Sequence, residues 1–140
     1  MKKENFLSKW YNKEIEDNGA YTSEEYNLFQ KDYKEILKNI CKEIDFELKQ
    51  FSKNHYCFSA VLSSKKTEQL FYISISDVRY FSNEWADNIL YRIMEHEKDW
   101  TGGSNHYSKL CDLNYNLLEL DNQIFKTRQL VNQDESEIGF

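Results

Sequence analysis

The chain has 140 residues, of which 40% are hydrophobic and 16% aromatic. That is one domain's length with enough apolar material for a packed core, which argues against a disordered chain. Lysine and arginine number 18 against 24 aspartates and glutamates, a net charge of −6, so the composition disfavours general phosphate-backbone binding, which draws on clustered basic residues. No stretch approaches the roughly eighteen consecutive apolar residues of a membrane span. Met1-Lys2-Lys3-Glu4-Asn5 leads into no apolar run of the secretory kind, so a cytoplasmic protein without membrane attachment is expected.

Residues 3–17 read as a first helix, with Phe6, Leu7, Trp10, Tyr11 and Ile15 at helical spacing and Gly19 as its stop. Thr22 and Glu25 form a capping-box pattern ahead of a second helix. Its apolar positions are Tyr26, Phe29, Tyr33, Leu37, Ile40, Ile44, Leu48 and Phe51, spaced by threes and fours. A helix through Phe51 would span roughly thirty residues and reach about 45 Å. Ile36 and Cys41 widen the stripe, which predicts packing on a sheet rather than a free coiled coil. Leu28 and Phe46 fall on its opposite side.

Tyr56, Phe58, Ala60 and Leu62 alternate with smaller residues as in a strand, Ser63 to Thr67 reads as a turn, and Leu70 to Ser76 as a second strand. A two-stranded hairpin alone is marginal, so this one must pack on helices or gain further strands. Ser82 or Asn83 caps a predicted third helix carrying two adjoining stripes, Trp85, Ile89, Ile93 and Ala86, Leu90, Met94. Thr101 to Asn105 is a loop. Leu113, Leu117, Leu120 and Ile124 favour a last helix over about 112–130, although Leu113, Tyr115 and Leu117 also alternate as a strand would. The expectation is an α+β fold in one compact domain, residues 1–131, with N-terminal helices, an antiparallel β-hairpin and C-terminal helices, followed by an acidic, frayed tail at 132–140.

The cysteines, Cys41, Cys57 and Cys111, form no CxxC pair, so neither a zinc knuckle nor a thioredoxin-like site is indicated. They read as structural thiols in a reducing compartment, and no cofactor or metal is expected. Residues 1–76 hold 12 acids and 12 bases, whereas residues 77–140 hold 12 acids and 6 bases, with all three arginines. The whole net charge therefore lies in the second half. The lysines at 31, 34, 38, 42, 49 and 53 gather on one side of the predicted second helix, but Glu24, Glu35 and Asp45 lie among them. That makes a solvated surface rather than a nucleic-acid face. The long helix and the hairpin leave a two-fold homodimer open.

The segment from Asp77 to Tyr107 departs from this mixed style. On a continuous helix Arg92, His96 and Asp99/Trp100 would share a face, with Arg79 and the loop of Gly102, Gly103 and Asn105 near by. Four readings fit these residues. One is a phosphate or nucleotide site of Arg79, Arg92, His96, Gly102, Gly103 and Asn105, although neither GxxxxGK[ST] nor GxGxxG occurs. Another is an acid–base pair of His96 with Asp99 or Asp77, or a metal held by His96 and His106, which lack the HxxxH or HExxH spacing. The third is structural: the glycines end the helix, Trp100 packs on the core, and the arginines pair with Asp77, Asp87 or Glu95. The fourth is an interaction surface anchored by aromatics and arginine. No GxSxG elbow is present, and His55 beside Cys57 reads as a strand-end histidine next to a core thiol. Tyr11, Tyr21, Tyr26, Tyr80, Tyr91, Tyr107 and Tyr115 exceed what a core takes in, because phenol hydroxyls need partners or solvent. Exposed tyrosines on an acidic surface fit a protein-binding face, and they fit equally an AT-rich coding sequence, in which tyrosine is frequent.

The run Ile75-Ser-Asp-Val-Arg79-Tyr-Phe-Ser-Asn-Glu-Trp85, continued by Leu90-Tyr-Arg92, His96-Glu-Lys-Asp-Trp100 and Thr101-Gly-Gly-Ser-Asn105, resembles small proteins carried by phages and integrative elements of low-GC bacteria. The size, the acidity and the lack of enzyme motifs are similar to those of anti-defence proteins such as anti-CRISPRs. The resemblance implies a non-enzymatic, stoichiometric inhibitor that docks on a host defence protein such as a nucleic-acid-guided nuclease. The expected contact residues are Asp77, Arg79, Glu95, Glu97, Asp99 and Trp100, with no direct nucleic-acid binding. The rival expectation is a small-molecule binding protein or enzyme using the Arg79, Arg92, His96 and glycine-loop set around a phosphorylated ligand.

Overall fold

In a computed structural model of the chain, the residues described are 24–53, 58–75, 88–96 and 104–137. The expected first helix, the Thr22 cap, the His55–Cys57 pair, the start of the third helix and the two loop glycines lie outside them. The first element is α1 (Glu24–Ile44), 21 residues long. It buries Phe29, Tyr33, Leu37, Ile40 and Ile44 on one face, with Cys41 beside them, as the spacing predicts.

The helix stops at Ile44 because Asp45 takes φ 61, a left-handed conformation that an α-helix cannot contain. The Asp45 carbonyl accepts a hydrogen bond from the Lys65 N–H at 3.1 Å. Beyond it the chain is a strand, β1 (Phe46–Lys53), which corrects the expected helix through Phe51. The helical spacing of Ile44, Leu48 and Phe51 has a different cause. The pairing of β1 with β2 shifts register between Leu48 and Gln50, so Lys49 is a bulge residue. Phe46, Leu48 and Phe51 thereby stay on one face, opposite Ser64, Leu62 and Ala60. Phe46, on the opposite side of the expected helix from its apolar stripe, is a core residue of this strand.

The expected hairpin is β2 (Phe58–Ser64) and β3 (Leu70–Ile75). Phe58, Ala60 and Leu62 and then Phe71, Ile73 and Ile75 are buried on the face that meets the helices. Residues 89–94, expected in a third helix, form strand β4 (Ile89–Met94). Ile89 and Ile93 are four apart, an even number, so a strand also keeps them on one face, and Tyr91 falls between them on that same face. A short β5 (His106–Ser108) completes an antiparallel sheet in the order β1-β2-β3-β4-β5. The hairpin thus gains three strands, which resolves its marginal stability. A 3₁₀ turn (Leu110–Asp112) leads into α2 (Leu113–Glu137), whose last turns fall in the acidic stretch after Val131.

Both helices lie on one face of the sheet. A single core joins Phe29, Tyr33, Leu37 and Ile40 of α1 to Leu113 and Leu117 of α2 through the inward side chains of β1–β4. Phe29, Tyr33, Phe51 and Phe58 form its aromatic centre, with Tyr33 and Phe58 edge-to-face at 4.7 Å and Phe51 5.0 Å from Phe58. The opposite sheet face buries Val61, Arg92 and Met94. The protein is therefore an α+β domain, and among the described residues no helix is long and apolar enough to cross a membrane.

Candidate functional site

Of the residues singled out from sequence, Asp77, Arg79, Glu97, Asp99, Trp100, Gly102 and Gly103 lie outside the described residues. Glu95 and His96 are exposed just past the end of β4, and Asn105 is exposed just before β5. Arg92 does not share a helix face with His96. It sits in β4 on the sheet face away from the helices and is 3% exposed. Its guanidinium carbon lies 4.9 Å from the centre of the Tyr72 ring on β3, and it donates to the Ile93 carbonyl at 3.4 Å. This is a cation–π packing that buries the charge. The supposed lysine stripe is divided between elements. Lys49 and Lys53 belong to β1, Lys34 lies 5.9 Å from the Phe51 ring, and Lys38 pairs with Glu35 at 3.3 Å.

Among the described residues a concave site lies between the β4–β5 edge and α2. Tyr91 on β4 stands opposite His106 on β5, and their rings stack with centres 5.2 Å apart and planes inclined by 26°. Asn116, Glu119, Leu120 and Gln123 face them from α2, enclosing a cleft of about 230 Å³. Their spacing of three, one and three residues is that of one helix face. Asn116 is fixed by its Nδ2, which donates to Ser108 Oγ at 2.9 Å, and Ser108 in turn donates to the Lys109 carbonyl at 2.8 Å.

Glu119 governs the electrostatics of this cleft. Burial first, and the Glu119 charge second, push the Tyr91 phenol above its ordinary value of 10.0. The exposed Tyr115 is raised mainly because its hydroxyl donates to Glu119, whose charge adds to the effect. Both phenols therefore stay neutral beside a carboxylate. No lysine or arginine among the described residues forms an ion pair with Glu119.

The groove continues along α2 into a second cleft of about 360 Å³, lined by Gln69, Leu120, Gln123, Ile124, Thr127 and Arg128. Arg128 closes it by donating to the Thr67 carbonyl at 2.5 Å and to Gln69 Oε1 at 3.0 Å. Gln69 donates to the Met94 carbonyl at 2.7 Å.

Asp121 is a third functional-looking group, and its role is architectural. It is 1% exposed and sits under the β2–β3 turn. Its carboxylate accepts from Ser64 Oγ at 2.7 Å and from Thr67 Oγ1 at 2.5 Å. Those hydroxyl oxygens in turn accept the N–H groups of Lys66, Thr67 and Gln69 at 3.2 Å each. Lys66 adds a hydrogen bond to Asn122 and lies over the Phe125 ring. The buried charge is thus spent on fixing a turn.

Sequence reasoning passed over this arrangement. Asp121 follows Leu117 by four residues within the apolar stripe of α2, which is the one signal that marks it. Tyr91 read as a surface tyrosine but is buried, whereas Tyr107 and Tyr115 are 65% and 66% exposed. His106, which the sequence marks only as a metal partner for His96, stacks on Tyr91. Among the described residues no group of three histidine, cysteine or carboxylate side chains is placed to hold a metal ion. Cys41 is buried, and Cys111 is exposed rather than structural. Compared with protein-family models, with curated proteins and with solved structures, the chain matches none.

Proposed function

We propose that the protein is a non-enzymatic binder that inhibits a bacterial defence nuclease by stoichiometric protein–protein contact, in the manner of an anti-CRISPR carried by a phage or mobile element. The observation that supports this reading is the pair of exposed anchors on α2, Tyr115 and Leu118 at 66% and 38% exposure, with the carboxylate of Glu119 beside Tyr115; Tyr107, 65% exposed on β5, adds an anchor on the other face of the sheet. Tyrosines held on regular elements lose little entropy on docking and are frequent interface anchors. The carboxylate suits a basic partner surface of the kind that grips nucleic acid. Exposed Glu95 continues that character at the end of β4, and Glu97 and Asp99 follow it in sequence.

A phosphorylated ligand is less well served. The cleft beside Tyr91 carries Glu119, and Arg92 is buried on the opposite sheet face. The test is phage restriction in bacterial strains that each carry one guided nuclease, with and without this protein expressed. The proposal expects one strain to lose protection, and to regain it when Glu95, Glu97 and Asp99 are all changed to lysine in a variant that still folds. Undiminished protection across all the strains would overturn the proposal.

A further inference from the structure

The cleft between the β4–β5 edge and α2 has features that a general acidic surface lacks. Its wall on the sheet side is a stacked aromatic pair, Tyr91 and His106, held in register by strand pairing. Its helix side offers a carboxylate, Glu119, and two amides, Asn116 and Gln123. The Asn116 Nδ2 spends one of its two N–H groups on Ser108, and its amide oxygen keeps its acceptor capacity. A flat ring wall, one negative charge and amide acceptors form a set complementary to a planar cation with several donors. A guanidinium matches all three, because it stacks on rings and forks its N–H groups onto carboxylate and carbonyl oxygens. An ammonium also donates to oxygens and is drawn to ring faces, but it lacks the planar fork that stacks and bonds at the same time. The volume of about 230 Å³ suits one side chain rather than a drug-sized molecule.

We infer that this cleft is the socket for an arginine side chain of the protein partner, with Glu119 as its counter-charge and the Tyr91–His106 pair as its stacking wall. The inference rests on the proposed function in taking the occupant from a protein. Glu119 adds to the upward displacement of both neighbouring phenols, second to burial at Tyr91, which agrees with a negative potential in the cleft.

The test is an NMR amide-shift titration of the full chain with N-acetyl-arginine methylamide, its neutral isostere N-acetyl-citrulline methylamide, and the lysine analogue. Saturable shifts at residues 91, 106, 116, 119 and 123, with arginine bound roughly tenfold more tightly than citrulline and a similar loss in Glu119→Gln, support the socket. Glu119 is exposed on α2, so its substitution should leave the fold intact, and Gln123→Lys gives a second variant that fills the cleft with a cation of its own. Shifts scattered over the surface, or binding of arginine by both variants as tight as by wild type, would overturn it. If the socket binds arginine and no protein inhibition is found, the proposed function fails while the socket stands. If a partner protein binds wild type and Glu119→Gln alike, the socket fails while the proposed function stands.

Discussion

Changing Asp121 to alanine removes the acceptor for two buried hydroxyls, Ser64 Oγ at 2.7 Å and Thr67 Oγ1 at 2.5 Å. Hydrogen bonds to a charged group contribute about 1.5–3 kcal/mol each, so losing both predicts a cost of about 3–6 kcal/mol. That is a large share of the roughly 5–15 kcal/mol that holds a domain folded, and it corresponds to a drop in melting temperature of roughly 10 °C or more. Asp121→Asn keeps one acceptor oxygen and should lose about half as much. The assay is urea unfolding followed by circular dichroism, with Thr67→Val as partner in a double-mutant cycle. Thr67 and Asp121 touch directly, so the two costs should fall short of additivity by at least about 0.5 kcal/mol. A loss below about 1 kcal/mol for Asp121→Ala, or strict additivity with Thr67→Val, would refute the clamp.

Other consequences follow from single residues. Burial pushes the Cys41 thiol from an ordinary 9.0 up to about 12, so alkylation at pH 8 should label exposed Cys111 and spare Cys41 until denaturant is added. The unfolded chain ionises this thiol first, so the contribution of Cys41 to stability is whole below pH 9 and is lost as pH rises from there towards 12. Equal labelling of the two thiols in the folded protein would contradict the burial. Glu68 adopts φ 62, a conformation that costs a side-chain-bearing residue about 1–2 kcal/mol. Glu68→Gly should therefore raise the melting temperature, and a clear fall would count against that turn geometry. Deleting Lys49 leaves Phe46, Leu48 and Phe51 in strict alternation on the core face, so the shortened chain should fold with a loss under about 1 kcal/mol. An unfolded deletion variant would refute the bulge.

The fold was legible where one periodicity fits a segment and misleading where two fit. The α1 stripe and the β2–β3 alternation each allow a single reading, and both stand in the structure. Ile89 and Ile93, four apart, satisfy a helix and a strand equally, and only their pairing with Ile75 and Phe71 decides for the strand. The bulge at Lys49 gave β1 a helix-like spacing, and the stop at Asp45 carries none of the glycine signal that commonly ends a helix. Of the candidate site, the cleft was not legible in the sequence. Tyr91, His106 and Glu119 are joined by tertiary packing over 28 residues of chain, and no local motif records that proximity. Arg92 shows the converse: a residue that looked like a ligand contact is buried against Tyr72.

The most direct test of the proposed role is affinity capture with the tagged full chain from a low-GC bacterial lysate, at low and at moderate salt, with mass-spectrometric identification and quantification. One stoichiometric defence nuclease, retained at moderate salt and lost with the Glu95, Glu97 and Asp99 lysine variant, is the expected result. Recovery of no protein partner, or of a nucleotide carried through purification, would contradict it.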